Sequence, residues 1–304
     1  MTKPRVTLVT CRDYPNLEED EAGLPDALAE RGMDPVIAVW DDPDVDWHAA
    51  NVCVVRSVRD YARKRQQFLD WAHQVPKLLN PADTLEWASD KHYLRDLADK
   101  GMPVVPTTWL EPEAKLSKHQ VHTRFPALGD FVVKPSVSSG GREMGRYTAN
   151  SGASRMKAIQ RAVSLLNDGR GVMVQRYLQE VDQFGEISLV YFNGILSHAV
   201  QKSAMLQPAE ETGEVLQAEI VSSHDPTPQE WEWGEQARQA IHGHIFDRVE
   251  HDQLLLYCRV DIVPDGKGGC YIMEISPLDA SLYLGEMPGA LEKFAEAIAT
   301  RVMW

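Results

Sequence analysis

The chain has 304 residues, with 31 Lys and Arg against 45 Asp and Glu and a formal net charge of −14. That balance excludes a general phosphate-backbone binder, which needs a basic face. It leaves room for a small anionic ligand held by a few cations and backbone N–H groups. Hydrophobic residues at 43% and charged residues at 25% can bury a core without staples, and no run approaches the roughly 18 apolar residues of a membrane span. Neither nucleic acid nor a membrane is therefore an expected partner.

The opening apolar stretch, Val6–Val9, is too short for a signal-peptide core and reads as a first buried strand. Cys11, Cys53, Cys258 and Cys270 contain no CxxC pair, so a zinc site is not expected. A reduced, cytoplasmic setting follows as the expectation.

RVTLVT (5–10) is predicted as a strand, followed by a helix over 18–31 that stops at Gly32. PVIAVW (35–40) and VCVVRS (52–57) are further strands, and 61–73 reads as a helix. This alternation predicts a parallel sheet covered by helices, with ligands at the carboxyl ends of its strands. Two polar loops fall there, one carrying Arg12, the other Arg56, Arg59 and Asp60. A single helix is predicted over 83–100, with Asp83 as N-cap and Glu86 completing a capping box.

The second half changes character. FVVKP (131–135) is a strand ending in Lys134, and SVSSGGREMG (136–145) is a Gly/Ser loop. A helix is predicted over 153–166 and a strand at GVMVQRYL (171–178). A hairpin is predicted over 186–202 around Asn193-Gly194, a strong turn signal. The acidic segment 207–217 is a candidate mobile lid, 228–250 a helix, and 288–302 a closing helix. LLLYCRVDIVP (254–264) and GGCYIMEISP (268–277) are two strands joined by Asp265-Gly266-Lys267.

Three of these features carry chemistry. Ser136, Ser138, Ser139, Gly140 and Gly141 can present backbone N–H groups and hydroxyls to phosphate oxygens. The loop fits neither Walker A nor a dinucleotide fingerprint, and a flexible hairpin tip has the same composition. Lys134, at the end of an apolar strand, needs an anionic partner because an unpaired buried ammonium is costly. Arg259 shares a strand face with Asp261, and Glu274 shares one with Ser276, by the period of two. If the two strands pair, Asp261 and Glu274 face each other and repel unless a cation lies between them. Oxygen-only ligands select Mg²⁺ or Mn²⁺. The alternation fits an exposed polar sheet face equally well. Taken together, a phosphate cradle, a lysine, a carboxylate pair and an arginine are the parts of a phosphoryl-transfer site.

In this order the motifs resemble the ATP-grasp superfamily of carboxylate–amine ligases. The matching pieces are SDKHYLRDLADKGMPVVPT (89–107), FVVKPSVSSGGREMGR (131–146), VMVQRYL (172–178), LSHAVQK (196–202) and RVDIV…YIMEISP (259–277). The resemblance implies an α/β and α+β fold in three units: an N-terminal α/β domain (1–110), a central subdomain with the phosphate loop (111–176) and a C-terminal subdomain with the metal site (177–304). It implies that Lys91 and Lys134 hold nucleotide phosphates, with Ser138, Ser139, Gly140 and Gly141 as the phosphate loop. Gln175, Arg176, Tyr177 and Leu178 match the adenine linker, and Glu186 lies near the ribose acid. Lys202 matches a basic residue facing the phosphates, Arg259 the transition-state arginine, and Asp261 and Glu274 the metal ligands. Ser276 stands where the family often has Asn, a weaker ligand whose place Asp279 or a water can take.

The implied cofactors are ATP and Mg²⁺, with Mn²⁺ as substitute. The implied reaction forms an acyl phosphate that an amine displaces, releasing ADP and phosphate. The LVTCRD start and VRSVRDY loop resemble a small bacterial branch of cycloserine-forming ligases, which implies ring closure of O-amino-D-serine in antibiotic biosynthesis. Arg12, Arg56, Arg59 and Asp60 are then the candidates for orienting this amino-acid-like substrate. An intermolecular amino-acid or peptide ligase would use the same nucleotide site, and an ATP-binding regulatory module without turnover is the non-catalytic alternative. A homo-oligomer is left open. Residues 5–31 lack a glycine-rich turn after the first strand, which disfavours a nicotinamide enzyme.

Overall fold

The structure is a computed structural model that describes residues 3–206, 219–249 and 254–303. The expected lid at 207–217 lies outside the described residues. Strands β1 (Arg5–Thr10), β2 (Asp34–Val39), β3 (Val52–Val55) and β4 (Leu78–Leu79) form a parallel sheet in the order β2-β1-β3-β4. Its strands are apolar on both faces because both are covered. Val6, Leu8, Val52 and Val54 pack with Leu24, Leu28, Phe294 and Ile298. Val9, Cys53 and Val55 point the other way, to Trp40, Phe68 and Trp71.

Two predicted helices differ. The first is shorter, α1 (Leu24–Glu30), after a 3₁₀ turn at Glu19–Glu21. Pro25 lacks an N–H and is tolerated only in a first turn, which fixes where the helix starts. After α2 (Arg65–Ala72), the helix expected over 83–100 is broken into α3 (Ala82–Ala88) and α4 (Tyr93–Asp99). Pro81, not Asp83, sits at the N-cap, and no side-chain cap forms. At the break, the Lys91 N–H donates to the Ser136 carbonyl (2.9 Å), and the Asp90 carboxylate accepts from the His92 N–H (3.1 Å). These bonds replace the helical ladder and turn Lys91 towards the Gly/Ser loop.

The second sheet is antiparallel, in the order β5-β8-β6-β7: β5 (Thr107–Leu110), β6 (Asp130–Pro135), β7 (Gly145–Thr148) and β8 (Val172–Arg176). Helices α5 (Lys118–His122) and α6 (Gly152–Asn167) cover one face, where Val121, Ala158 and Ala162 pack on Phe131, Val133 and Val174.

After α7 (Glu180–Phe184) comes a third, antiparallel sheet: β9 (Glu186–Phe192), β10 (Ile195–Lys202), β11 (Val221–His224), β12 (Tyr257–Pro264) and β13 (Cys270–Ser276). Its order is β11-β10-β9-β12-β13. Asn193 and Gly194 both take positive φ (47° and 78°), as a two-residue type I′ turn demands. Helix α8 (Pro228–Val249) packs Ala237 and Ile241 on this sheet. Helix α9 (Ala290–Met303) returns to the first sheet, so one cluster joins Phe294 and Ile298 to both Leu8 and Phe192.

Candidate active site

The second and third sheets face each other across a cleft. Lys134, Gln175, Glu186, Lys202, Arg259, Asp261 and Glu274 project into it from β6, β8, β9, β10, β12 and β13. The β12–β13 register sets Asp261 directly opposite Glu274, and Arg259 opposite Ser276. The two carboxylates are met by cations of the chain itself. Asp261, 1% exposed, accepts from Arg259 Nε (2.8 Å) and Nη2 (2.7 Å) and from the Ser188 hydroxyl (2.6 Å), with Lys202 Nζ at 3.4 Å. Burial by itself would raise the Asp261 carboxyl; Arg259 and Lys202 overcome it and hold the group at about 2. Glu274 is paired with Lys91 (3.0 Å), which outweighs burial and keeps its carboxyl below the usual range. Lys202 also pairs with Glu186. Despite burial, Asp261 and Glu186 hold the lysine charged far above its ordinary range.

The Gly/Ser loop closes one side. Lys91 Nζ donates to the Ser138 carbonyl (3.1 Å). Gly140 and Gly141 both take positive φ (62° and 68°), and a side chain at Gly140 would collide with the Arg59 guanidinium. Ser139 donates to the Asp279 carboxylate. Lys134 differs from its neighbours: among the described residues no hydrogen bond or ion pair is seen to it. Burial, and then the charge of Lys91, pushes its ammonium down to about 8.

At the far end Gln175 donates to the Thr107 hydroxyl (2.8 Å), and Arg176, Tyr177 and Leu178 continue the wall with Val132, Leu206 and Met273. Arg146 stacks on the Tyr177 ring at 3.5 Å, and the Tyr177 hydroxyl donates to Asp182 (2.5 Å).

Of the four N-terminal candidates only Arg59 reaches the cleft, where it pairs with Glu18 and donates to the Ser281 hydroxyl (3.0 Å). The other three point away from the cleft. Arg12 lies on the surface, paired with Asp41 (3.1 Å). Asp60 is turned inward to accept from Trp40 Nε1 (2.9 Å) and Lys64 (3.1 Å). Arg56 is 1% exposed, paired with Glu21, bonded to the Ala280 carbonyl (2.9 Å) and stacked over Tyr257 at 4.6 Å. Its charge is consumed inside the protein.

Sequence reasoning passed over the segment after β13 as a unit. Residues 277–285 form a shelf along the cleft, pinned from both sides. The Pro277 carbonyl accepts from Asn80 (2.9 Å), Asp279 accepts from the Val58 N–H (2.9 Å), and the Ser281 carbonyl accepts from Arg259 Nη1 (3.1 Å). The Leu282 carbonyl lies 2.7 Å from His198 Nε2, and Leu284 donates to Asp20 (2.8 Å). Asp279 and Tyr283 adopt left-handed backbone (φ 52° each), which the pinning sustains. A non-repetitive run of Asp, Ser and Tyr after a metal-type strand was the only signal in the sequence.

A cleft between two antiparallel sheets, with a Gly/Ser loop, three lysines and a carboxylate–arginine hairpin, defines the ATP-grasp class of ligases. Comparison with known proteins agrees. The family model described as D-cycloserine synthetase DcsG, N-terminal domain, matches residues 6–80. The cycloserine biosynthesis protein DcsG of Streptomyces lavendulae is 30% identical over 294 residues, 94% of this chain and 95% of that one. The crystal structure of D-cycloserine synthetase DcsG superposes with a TM-score of 0.87 at 30% identity, covering 98% of this chain and 99% of the other. A Bacillus anthracis D-alanine–D-alanine ligase complexed with ATP shares the fold (TM-score 0.66, 14% identity, 99% and 97% covered). The chain belongs to the DcsG family of ATP-grasp ligases and is an ATP-dependent carbon–nitrogen ligase. Among the described residues no helix is long and apolar enough to cross a membrane.

Proposed function

We propose that the chain closes O-amino-D-serine to D-cycloserine, using ATP and Mg²⁺ and releasing ADP and phosphate. The relation to DcsG over nearly the whole chain carries the choice of substrate. The Lys91, Lys134, Lys202 and Arg259 set around Asp261 and Glu274 supports the chemistry. The division into 1–110, 111–176 and 177–304 goes with this reading except that β5 (Thr107–Leu110) pairs into the second sheet, and the nucleotide lies between the second and third sheets. All four cysteines are free and buried, which fits a reduced cytoplasmic setting.

A carboxylate is a poor acyl donor because oxide does not leave; transfer of the ATP γ-phosphoryl group to its oxygen gives an acyl phosphate, from which phosphate leaves readily when the amine attacks. Lys134, to which no partner is seen among the described residues, is suited to the nucleotide phosphates, with Lys91 beside it and the N–H groups of 138–141 around them. Asp261, Glu274 and Ser276 form an all-oxygen set suited to a hard divalent cation, which when bound would neutralise phosphate charge. Arg259 lies at the same place, held in line by Asp261 and the Ser281 carbonyl. It supports charge on the transferring phosphoryl group and then on the tetrahedral oxyanion. An alkoxyamine is already unprotonated at neutral pH, so the attacking nitrogen needs no strong base.

The test is ADP release with O-amino-D-serine as sole amino acid, with the product mass measured. ADP and a product lighter than the substrate by one water are expected. Release that requires a second amino acid would make the chain an intermolecular ligase, and AMP as product would exclude the acyl phosphate.

A further inference from the structure

The cleft treats its carboxylates unequally. Asp261 carries Arg259 and Lys202, Glu274 carries Lys91, and Glu186 carries Lys202. Asp279 faces the same cleft but is held by neutral donors, the Val58 N–H at 2.9 Å and the Ser139 hydroxyl. The nearby Arg59 guanidinium is already paired with Glu18. Among the described residues Asp279 and Glu219 are the cleft carboxylates seen without an ion pair, and Glu219 accepts only from the Tyr283 hydroxyl (3.3 Å).

An amino-acid-like substrate brings one ammonium and one carboxylate on adjacent atoms. Its receptor therefore needs an uncommitted anion close to the arginine that handles the carboxyl group. Asp279 meets this condition by construction. Arg259 donates to the Ser281 carbonyl, and Asp279 lies two residues earlier on the same shelf, so the Cα atoms of Asp279 and Ser281 are at most about 7 Å apart. Its left-handed backbone is fixed from both sides, by Asn80 on Pro277 and by Arg56 on Ala280. The fully buried Arg56 thus positions the shelf without touching the cleft.

We propose that Asp279 is the specificity residue that receives the α-ammonium of the substrate, with Arg259 at its carboxyl end. This rests on the amino-acid ligase reading above and adds the anchor that selects for an amino acid. Burial lifts the free Asp279 carboxyl to about 7 despite the Ser139 hydrogen bond and the nearby charge of Arg59, a cost that an ammonium alongside would reverse.

The experiment pairs Asp279→Asn with 3-aminooxypropionate, the substrate analogue lacking only the α-amino group. ADP release gives kcat/KM for each enzyme with each substrate. Asn is among the residues that tolerate left-handed backbone and can still accept from Val58, so the variant is expected to fold, which a thermal melt checks. The wild type is expected to prefer O-amino-D-serine by roughly 10²-fold or more. The variant should lose about that factor on O-amino-D-serine and less than about threefold on the analogue, so the preference collapses. Equal losses on both substrates would make Asp279 structural, and a change confined to the KM for ATP would assign it to the phosphate loop; either overturns the proposal. Glu219→Gln should keep the preference, and its collapse there instead would move the anchor to Glu219. Should the wild type ignore O-amino-D-serine and ligate another amino acid, the substrate reading fails. The same comparison between that amino acid and its des-amino form then decides Asp279 separately.

Discussion

Two buried arginine–carboxylate pairs invite comparison: Arg56–Glu21 in the seam between the first sheet and the shelf, and Arg259–Asp261 in the cleft. In sequence they look alike, each arginine closing or interrupting an apolar run (Val54-Val55-Arg56 and Tyr257-Cys258-Arg259). In the structure Glu21 is met by Arg56 and the Ser57 hydroxyl, and Arg56 by Ala280 and Tyr257, all interior groups. Asp261 is met by two cations and a hydroxyl while facing a second carboxylate, a concentration of charge that no single ion pair requires. Burial and pairing therefore do not distinguish scaffolding from chemistry. The excess of like and unlike charge around one atom does, together with an open path to the cleft.

The comparison breaks most visibly in stability. Arg56→Met leaves Glu21 buried without its cation and is expected to cost about 3–5 kcal/mol. The double variant with Glu21→Leu should recover most of that, because a well-packed apolar pair replaces both charges. Denaturant midpoints measure both. A double variant as unstable as the single one would show that the Ala280 bond, not the ion pair, holds the seam.

Much of the cleft was legible in the sequence because its chemistry is local. Arg259, Asp261, Glu274 and Ser276 lie on two adjacent strands; alternation put Arg259 with Asp261 and Glu274 with Ser276, and the pairing of the two strands joins the two faces. The seam was not legible, since its partners are distant: Arg56 bonds Ala280 and Val58 bonds Asp279, each across more than 200 residues. The loops at the strand ends were placed correctly, but which of their side chains turned outward was set by such contacts. Only Arg59 of the four candidates faces the cleft. The continuous helix expected over 83–100 failed for a related reason. Apolar residues on both halves keep one period, while the break is set by the Lys91–Ser136 hydrogen bond that periodicity cannot register.

The second prediction concerns turnover. Arg259→Lys keeps a positive charge beside Asp261 but loses the planar fork that spans two oxygens. A loss of about 10²–10³ in kcat is expected, roughly 3–4 kcal/mol, with little change in the KM for ATP. Its melting temperature should fall much less than that of Arg56→Met. A raised ATP KM at unchanged kcat would instead make Arg259 a ground-state nucleotide ligand.

The smallest effect separates two lysines of the cleft, Lys202 and Lys134. Lys202 is raised far above its ordinary range by Asp261 and Glu186, which outweigh burial. Its charge therefore stabilises the fold at neutral pH, and Lys202→Met should be less stable than wild type. Lys134 is pushed down to about 8 by burial and then by Lys91. The folded protein thus holds this proton less tightly than the unfolded chain, whose lysines titrate near about 10.4. Below about pH 8 the charged Lys134 opposes folding by a constant amount, and that opposition fades as pH rises from about 8 to about 10.4. Without nucleotide, Lys134→Met should be the more stable protein at pH 7, and its advantage should shrink across that alkaline window. With ATP the order should reverse, because ligand binding stabilises the wild type and the variant lacks a cation for the phosphates. Denaturant midpoints across pH, with and without ATP, measure all three. A Lys134→Met protein less stable than wild type at pH 7 without nucleotide would show that Lys134, like Lys202, is a fixed part of the scaffold.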